Sequence, residues 1–401
     1  MEPLDLQPLF DTYHRKIAKV SLRFKRYLYS QINWKARIIS IKGARGVGKT
    51  TMLLQHILDS YENIDKTLYA SLDDLWFSTH SLMDLVDWAY RHGISRLYLD
   101  EVHRYEGWSS LLKNIYDGYP DLSIVYTSSS LLVMDNAKVD MSRRQTTYTL
   151  YGLSFREYLE MEDKYHSNAL SLEQILLGHV KEAMKIVSKI KVAPLFEEYL
   201  EHGYYPFYQE SIEDFPMRLR ETVLVVIDSD LPAVEIVTFE TLQKVKKLLM
   251  IISEHIPFEP NMSELWRQLS TDNQLGLRML YAIDRAQVLG LLKTKAKNYK
   301  SLTKPEKIFL GNTNLMHVLC PFVDKGNERE TFFLSQLKVN HNITYPQCGD
   351  FLVDGKYLFE IGGKSKTFDQ IADIPDSFLA VDDTEVGHGN RIPLWLFGFL
   401  Y

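Results

Sequence analysis

A glycine-rich run with one lysine and two threonines is the first place in this sequence where residue types and spacing predict chemistry. The run, GARGVGKTT at 43–51, follows the apolar segment Arg37–Ile41 and leads into a helix predicted over Thr51–Asp59. Glycines let consecutive backbone N–H groups turn inward on phosphate oxygens, and the helix N-terminus adds a favourable dipole. Lys49 is expected to reach the β- and γ-phosphates of a nucleotide, and Thr50 to bind Mg²⁺. The predicted nucleotide-binding residues of this loop are Gly43, Ala44, Arg45, Gly46, Val47, Gly48, Lys49, Thr50 and Thr51.

Two acids that follow a predicted strand supply the second part of this chemistry. Arg96–Leu99 is apolar enough for a buried strand, and Asp100 and Glu101 come directly after it. We expect Asp100 to hold Mg²⁺ through a water molecule, and Glu101 to orient or polarise the attacking water as the catalytic residue. The second acid favours hydrolysis over the transfer reaction of a nucleotide kinase, which can share the glycine loop. The alternative interpretations are a plain glycine turn before a helix and a surface turn after a strand.

Two further groups of polar residues are candidates for contact with the γ-phosphate. The fourth predicted strand ends in TSSS at 127–130, where Ser129 is expected to touch the γ-phosphate or the water. Arg143 or Arg144 is expected to act as a catalytic finger that neutralises transition-state charge, in cis or from a neighbouring subunit. The alternatives are an ordinary serine turn and a solvent-facing or salt-bridged arginine pair. His103 is interpreted as a loop residue and not as a metal ligand.

A parallel sheet is needed to bring these residues to one edge. Short apolar segments alternate with helical segments through residues 35–154, which predicts an α/β fold: a P-loop NTPase parallel sheet with helices on both faces. Ligands bind beyond the carboxyl ends of such strands, where both motifs lie. The predicted strands are Arg37–Ile41, Thr67–Ser71, Arg96–Leu99, Leu122–Tyr126 and Thr146–Leu150, and the predicted helices are Thr51–Asp59, Ser81–Arg91 and Ser109–Tyr116.

Several segments together resemble one family, the AAA-type P-loop ATPases of bacteria and archaea that carry a C-terminal domain of restriction-endonuclease-like fold. The segments are GARGVGKTT (43–51), LYLDEVHRYEGW (97–108), VYTSSS (125–130), SRR (142–144), LSFREYLE (153–160), EYLEHGYYP (198–206) and DFLVDGKYLFEIGGK (350–364). The resemblance spans nearly the whole chain and implies ATP, not GTP, as the nucleotide. The sequence agrees, since it has no Asn/Thr-Lys-x-Asp motif for reading guanine.

The predicted domain organisation combines this resemblance with shifts in composition along the chain. We expect a basic N-terminal helical segment at 1–34, a P-loop ATPase domain at 35–154, a helical lid region at 155–255, a winged-helix-like domain at 256–310 and an α/β nuclease-like domain at 311–401. Hydrolysis of ATP to ADP and phosphate with Mg²⁺ is expected to rearrange the lid and the later domains. The alternative functions are an ATP-gated Mg²⁺-dependent nuclease and a nucleotide-dependent binder of DNA or protein without turnover.

Two basic stretches are candidate contacts for nucleic acid. Between Thr12 and Leu58 there are 11 Lys or Arg and no Asp or Glu, and residues 13–33 are predicted to be helical. In the winged-helix-like domain, helices predicted at Met262–Leu269 and Asn273–Leu289 precede a hairpin of Gly290–Lys293 and Lys307–Leu310. The stretch from Lys293 to Lys307 carries six lysines and one glutamate, a pattern that suits phosphate contacts. The alternatives are a solvated surface and a surface for a protein partner.

A second set of acids lies near the C-terminus. Asp350 and Glu360 flank a predicted hairpin, and Glu330 in a preceding helix and Lys364 could join them. This set resembles the D…E-x-K core of restriction-type nucleases, whose acids hold Mg²⁺ while the lysine assists the nucleophile. The usual lysine position, two residues after the glutamate, is Gly362, so Lys364 reaches the acids only if the strand end is reshaped.

The composition excludes other classes of protein. The 401 residues carry a net charge of −6, so a polycation that coats nucleic acid is excluded and any basic surface must be local. No apolar run is long enough for a membrane span, the start lacks a signal-peptide pattern, and two cysteines suit the cytoplasm. No zinc motif is present among the histidines. The sequence leaves the oligomeric state open.

Overall fold

The computed structural model describes residues 5–60, 64–131, 141, 143–234, 237–255, 259–294 and 304–401. The chain divides into two compact units, an N-terminal unit of Met1–Tyr151 with Pro232–Ile236 and a C-terminal unit of Gly152–Leu231 with Val237–Tyr401. Three earlier predictions fall partly outside the described residues. They concern the start of the chain at 1–4, Ser142 of the SRR segment, and residues 295–303 of the lysine-rich stretch.

The N-terminal unit is built on a five-stranded parallel sheet in the order β2-β3-β4-β1-β5. Its strands are β1 (Ile38–Gly43), β2 (Thr67–Ser71), β3 (Arg96–Asp100), β4 (Ser123–Ser129) and β5 (Thr146–Leu150). Residues such as Ile39, Ile41 and Leu97 are fully buried, because helices cover both faces of the sheet. The edge strand β5 differs, since its first two residues, Thr146 and Thr147, are exposed. The predicted α/β fold class with a P-loop NTPase sheet is confirmed.

Helices accompany these strands, and the helix over Leu82–Arg91 begins at a side-chain cap. They are α1 (Gln7–Ile17), α2 (Lys49–Ser60), α3 (Leu82–Arg91) and α4 (Trp108–Gly118), with short 3₁₀ helices at Tyr27–Ser30, Ile64–Lys66, Leu75–Ser78 and Val102–Arg104. Ser81 and Asp84 form a reciprocal capping box at the start of α3.

The basic segment 13–33 is not one helix, so that prediction is wrong. Helix α1 ends at Ile17, and the next helical turn is the 3₁₀ helix at Tyr27–Ser30. Between them, the carbonyls of Ser21 and Phe24 accept hydrogen bonds from Gln55 Nε2 at 2.7 and 2.8 Å. A side chain of α2 therefore satisfies backbone groups that a continuous helix would pair internally.

The C-terminal unit contains a second five-stranded sheet in the order β12-β11-β10-β9-β8. The strands are β8 (Ile343–Thr344), β9 (Phe351–Val353), β10 (Tyr357–Gly362), β11 (Ser377–Val381) and β12 (Arg391–Pro393). Strands β8, β9 and β10 pair antiparallel, whereas β10, β11 and β12 pair parallel. The predicted hairpin at 350–360 is confirmed, and its loop of residues 354–356 has positive φ at Asp354 and Gly355, which lets the chain reverse tightly.

The remaining chain is mostly helical. Its helices are α5 (Phe155–Met161), α6 (Leu172–Val187), α7 (Val192–His202), α8 (Phe215–Val225), α9 (Leu231–Val234), α10 (Phe239–Ser253), α11 (Met262–Gln268), α12 (Asn273–Arg285), α13 (Thr313–Leu319) and α14 (Lys325–Leu337). A separate antiparallel pair is formed by β6 (Leu289–Leu292) and β7 (Lys307–Leu310). Helix α12 stops at Arg285, short of the predicted Leu289, because Gln287 takes a positive φ and the chain turns into β6.

The segment LSFREYLE acts in the folding of the C-terminal unit. Ser154 caps α5 and its Oγ donates to the backbone oxygen of Tyr401 at 2.6 Å, while Arg156 Nε donates to the same oxygen at 2.9 Å. Tyr401 is 1% exposed, so these bonds satisfy a buried backbone oxygen.

Within the described part of the chain, no helix has the length and hydropathy needed to cross a bilayer.

Candidate active site

The glycine loop begins where β1 ends at the carboxyl edge of the sheet. Gly43 is level with Leu150 of β5, and a Cβ atom at Gly43 would lie 2.3 Å from the Leu150 carbonyl oxygen, so only glycine fits. Gly46 and Gly48 have φ of 83° and 96°, which other residues adopt at a cost. The loop therefore has the backbone conformations and the close strand contact that the sequence predicts.

Lys49 opens α2 and folds back over this loop. Its side chain is buried, and Nζ donates to the carbonyl oxygens of Gly43 and Ala44, both at 2.9 Å. Phosphate oxygens entering the loop would compete with these two carbonyls for the ammonium group. The lysine is thus placed within the loop, as the motif predicts.

Arg26, which sequence reasoning missed, braces the loop from the other side. It is 5% exposed, and its guanidinium donates to the carbonyls of Val47 at 2.5 Å and Tyr151 at 2.8 Å. Holding the Val47 carbonyl fixes the orientation of a peptide inside the loop. The sequence offers no spacing signal for this contact, because Arg26 lies 21 residues before Val47.

Asp100 and Thr50, the two predicted magnesium residues, are in direct contact. Thr50 Oγ1 donates to Asp100 Oδ2 at 2.6 Å, Tyr69 Oη donates to the same oxygen at 2.8 Å, and Thr127 Oγ1 donates to Oδ1. Asp100 is 2% exposed, so these hydroxyl groups replace water around a buried carboxylate. Burial and the Asp100 carboxylate raise the pKa of Tyr69 far above its ordinary value, which keeps its hydroxyl a donor.

Tyr69 and Thr127 are further residues that the sequence analysis left without a role. Tyr69 lies on β2 next to β3, and Lys16 of α1 donates to its hydroxyl at 2.8 Å. Thr127 bonds to Asp100 and also accepts the backbone N–H of Glu101 at 2.9 Å. The sequence signal for such partners of Asp100 is a polar residue near the end of a neighbouring parallel strand. Using it requires the strand order, which the sequence does not give.

Glu101 follows β3 with a left-handed backbone, at φ 53° and ψ 41°. This conformation costs a non-glycine residue about 1 kcal/mol, and it occurs at turns as well as at functional sites. The Glu101 side chain is 19% exposed to solvent, whereas Asp100 beside it is only 2% exposed. The arrangement gives one buried acid suited to a metal and one accessible acid suited to a water molecule.

Ser129 lies where predicted, at the carboxyl end of β4 and level with Gly43. It is 7% exposed, and its Oγ accepts the backbone N–H of Leu131 at 3.3 Å. Its place beside the first residue of the loop is consistent with contact to a terminal phosphate.

The arginine finger is not brought to this edge by the N-terminal unit. Arg143 and Arg144 precede β5, whose first residue Thr146 is level with Ile39, about 13 Å of strand away from the loop end at Gly43. Arg144 Nε lies 3.3 Å from Asp117 Oδ1, at the last turn of α4, and Arg143 is exposed. The prediction of a finger in cis is therefore wrong, because residues before a strand lie at the amino edge of a parallel sheet; a role in trans stays a prediction.

The C-terminal acids do come together, with lysines between them. Lys307 Nζ is 3.3 Å from Glu330 Oε2 and 3.9 Å from Asp350 Oδ1, and Lys366 Nζ is 2.5 Å from Glu360 Oε1. We call these five residues the acid–lysine cluster. Burial, together with the Asp350 carboxylate, raises the pKa of Glu330 to about 7. Among the described residues, no group of three or more His, Cys, Asp or Glu is arranged to hold a metal ion.

Lys364, the lysine predicted for this cluster, is replaced there by Lys366. Lys364 is exposed, and its backbone carbonyl accepts from Arg391 Nη2 at 3.0 Å. After β10 the chain turns, and the Lys366 N–H donates to the Gly363 carbonyl at 3.0 Å. A Cβ atom at Gly362 would lie 2.5 Å from Lys366 Cβ, so the Lys366 side chain fills the space that a side chain at 362 would occupy.

Comparisons with known proteins agree with the N-terminal site. Residues 35–159 match a family described as "AAA domain". A protein of Methanocaldococcus jannaschii named "Uncharacterized protein MJ1637" is 27% identical over 375 residues, covering 84% of this chain and 78% of that one. The sheet order, the loop geometry and the AAA match together support a P-loop ATPase domain in this chain.

Solved structures that resemble this chain include two of the replication initiator DnaA. One is bound to AMPPCP and single-stranded DNA (TM-score 0.26, 15% identity) and one is AMPPCP-bound DnaA from Aquifex aeolicus (0.28, 16%); each match covers 70% of this chain and 87% of the other. The S. cerevisiae Hsp104–ADP complex gives a TM-score of 0.27 and 13% identity, over 72% of this chain and 40% of that one. At scores this low, these similarities carry no conclusion about the present chain.

Proposed function

We propose that this chain binds ATP with Mg²⁺ at residues 43–51 and hydrolyses it to ADP and phosphate. The observation that carries the proposal is the 2.6 Å contact between Thr50 Oγ1 and Asp100 Oδ2 beside the glycine loop. It brings a hydroxyl and a carboxylate from different segments together, and such oxygens are the ligands that Mg²⁺ prefers. The match of residues 35–159 to an AAA domain supports ATP as the nucleotide.

Each residue of the site has a proposed part in the reaction. The loop N–H groups and Lys49 bind the phosphates, and Thr50 and Asp100 would hold Mg²⁺, which when bound offsets charge on the phosphate oxygens. Glu101 orients a water molecule for attack on the γ-phosphate. Ser129, next to Gly43 at the sheet edge, contacts the γ-phosphate or that water.

The test is calorimetry of ATP binding with Mg²⁺, followed by measurement of phosphate release. Lys49→Ala is expected to weaken ATP binding by at least about tenfold, because an ammonium group in contact with phosphate is lost. Glu101→Gln is expected to bind ATP and release no phosphate. The exposed Lys66→Ala in the same unit is the matched control and should behave as the wild type. A folded wild-type protein that releases no phosphate would contradict the proposal, and one that binds ATP without release would favour a nucleotide-dependent binder.

We also infer that hydrolysis rearranges the C-terminal domains, since a γ-phosphate acts on any element it contacts in only one state. Hydrogen exchange of Glu101→Gln with ATP, compared with the same variant with ADP, tests this. Changed protection within residues 155–401 is expected. Identical protection in both nucleotides would contradict the coupling.

A second candidate function, a Mg²⁺-dependent nuclease, is favoured by one observation. Lys366 lies 2.5 Å from Glu360 and fills the space above Gly362, so a lysine does reach the acid that lacks one at the usual spacing. The test is cleavage of DNA and RNA with Mg²⁺, with and without ATP, by the wild type and by Asp350→Ala. Cleavage that Asp350→Ala removes while ATP turnover survives would support the nuclease, and absence of cleavage would contradict it.

A further inference from the structure

His103 is buried between the two strand ends that form the proposed ATPase site. It lies on the 3₁₀ helix Val102–Arg104, and its side chain is only 1% exposed. Its Nε2 atom is 3.5 Å from Glu101 Oε2, at the end of β3. Its Nδ1 atom accepts the backbone N–H of Ser129, at the end of β4, at 3.3 Å. One imidazole ring therefore bridges the proposed water-positioning acid and the proposed phosphate contact.

The backbone of Ser129 decides which nitrogen of the ring carries the proton. A peptide N–H can only donate, so Nδ1 must offer a lone pair to it. The neutral ring then carries its hydrogen on Nε2, which lies 3.5 Å from Glu101 Oε2, within ion-pair distance but outside hydrogen-bond geometry. His103 is thus placed to direct a donor at Glu101 for as long as the bond from Ser129 is kept.

The left-handed backbone of Glu101 explains how His103 reaches this position. A φ of 53° at Glu101 ends β3 abruptly, and the following 3₁₀ turn carries residue 103 back against β4. An exposed loop histidine would not need this turn. The sequence-based interpretation of His103 as a plain loop residue therefore misses its contacts.

We propose that His103 is a positioning residue that fixes the place of the Glu101 carboxylate relative to the end of β4. It touches neither phosphate nor metal in this role; it acts through Glu101. A shift of β4 at Ser129 would reach Glu101 through the imidazole, so the water-orienting acid would respond to the strand that meets the γ-phosphate. The inference rests on the proposed ATPase function and assigns to it one more residue.

Two isosteric substitutions separate the halves of this bridge. The terminal amide nitrogen of glutamine takes the place of imidazole Nε2, so His103→Gln keeps a donor facing Glu101. The amide oxygen of asparagine takes the place of Nδ1, so His103→Asn keeps the acceptor for Ser129 and loses that donor. We expect His103→Gln to retain most of kcat, and His103→Asn to lose about 10–100-fold in kcat, as outer-shell partners of catalytic groups do. Both should bind ADP and a non-hydrolysable ATP analogue with wild-type Kd and melt at similar temperatures.

The outcomes are distinguishable from failure of the ATPase proposal itself. If the wild type turns over ATP and both variants keep wild-type kcat, His103 has no positioning role. Equal losses in both variants, accompanied by equal losses of melting temperature, would show a purely structural role and also overturn the inference. If the wild type lacks turnover while folded, the proposed function fails, and the role of His103 fails with it.

Discussion

Asp100 in the N-terminal unit and Glu360 in the C-terminal unit are both buried carboxylates on strands, yet different groups surround them. Asp100 accepts hydrogen bonds from the hydroxyls of Thr50, Tyr69 and Thr127, which leave its negative charge in place. Glu360 lies 2.5 Å from the ammonium group of Lys366, which neutralises it. A buried acid held by neutral donors remains able to attract a cation, whereas a buried acid paired with lysine must first release it.

This difference indicates whether each site can bind a cation in the conformation that the structure shows. In the N-terminal site, the hydrogen bonds to Asp100 beside the glycine loop come from neutral hydroxyl groups. The acid–lysine cluster is closed by its own ion pairs, and the hydrogen bond from Lys366 to Glu360 raises the pKa of the lysine and holds it charged. A cation would bind the first directly and would have to displace lysine from the second.

Exchanging one acid of each site for its amide is the strongest way to break the comparison. Asp100→Asn is expected to lower Mg²⁺-dependent ATP turnover by about 100-fold, because the amide carries no charge for the metal. Asp350→Asn in the C-terminal cluster is the matched change and should leave turnover as it is. Steady-state phosphate release over a range of Mg²⁺ concentrations measures both, and wild-type turnover in Asp100→Asn would refute the assignment.

Removing the lysine from the cluster should cost stability. Lys366→Met leaves Glu360, 3% exposed, without its partner, and the free energy of unfolding is expected to fall by about 3 kcal/mol. Lys364→Met, two residues earlier and exposed, should change it by less than about 0.5 kcal/mol. Urea titration followed by circular dichroism gives both values. Equal effects would mean that Lys366 makes no specific pair.

The smallest expected effect is on the pH dependence of unfolding. The pKa of Glu330 is raised to about 7 by burial and by Asp350, so its ionisation destabilises the folded state. The free energy of unfolding should therefore fall by about 2 kcal/mol as pH rises from about 5 to about 8. Glu330→Gln should remove this slope, and the exposed Glu385→Gln should leave it unchanged. A slope that persists in Glu330→Gln would assign it to another group.

Much of the N-terminal unit could be predicted from local sequence. Strands Thr67–Ser71 and Thr146–Leu150 have the predicted limits. The first is a buried run between turns, whereas the second is a partly exposed edge strand rich in threonine, a β-branched residue. The glycine loop was readable because its chemistry depends on adjacent residues. Arg26, Tyr69 and His103 were missed because each acts across distant segments, and the sequence does not show which strands are neighbours.

At the C-terminal site, too, local sequence predicted some of the residues and missed a contact that depends on the path of the chain. The acids Asp350 and Glu360 were placed from a hairpin pattern, which the structure confirms. The lysine was expected at 364, on the condition that Gly362 and Gly363 reshape the strand end; the chain does turn there, but it brings Lys366 to Glu360 instead. Counting fails where glycines end a strand, because the side chains beyond it no longer alternate.

At Glu101, the left-handed backbone favours glycine for stability, whereas the proposed chemistry needs a carboxylate side chain. Glycine adopts a φ of 53° without strain, so Glu101→Gly would relieve about 1 kcal/mol of backbone energy while deleting the carboxylate. A screen for heat-resistant variants would thus select for loss of the carboxylate that we propose to orient the attacking water. Efforts to stabilise this chain should leave residue 101 untouched.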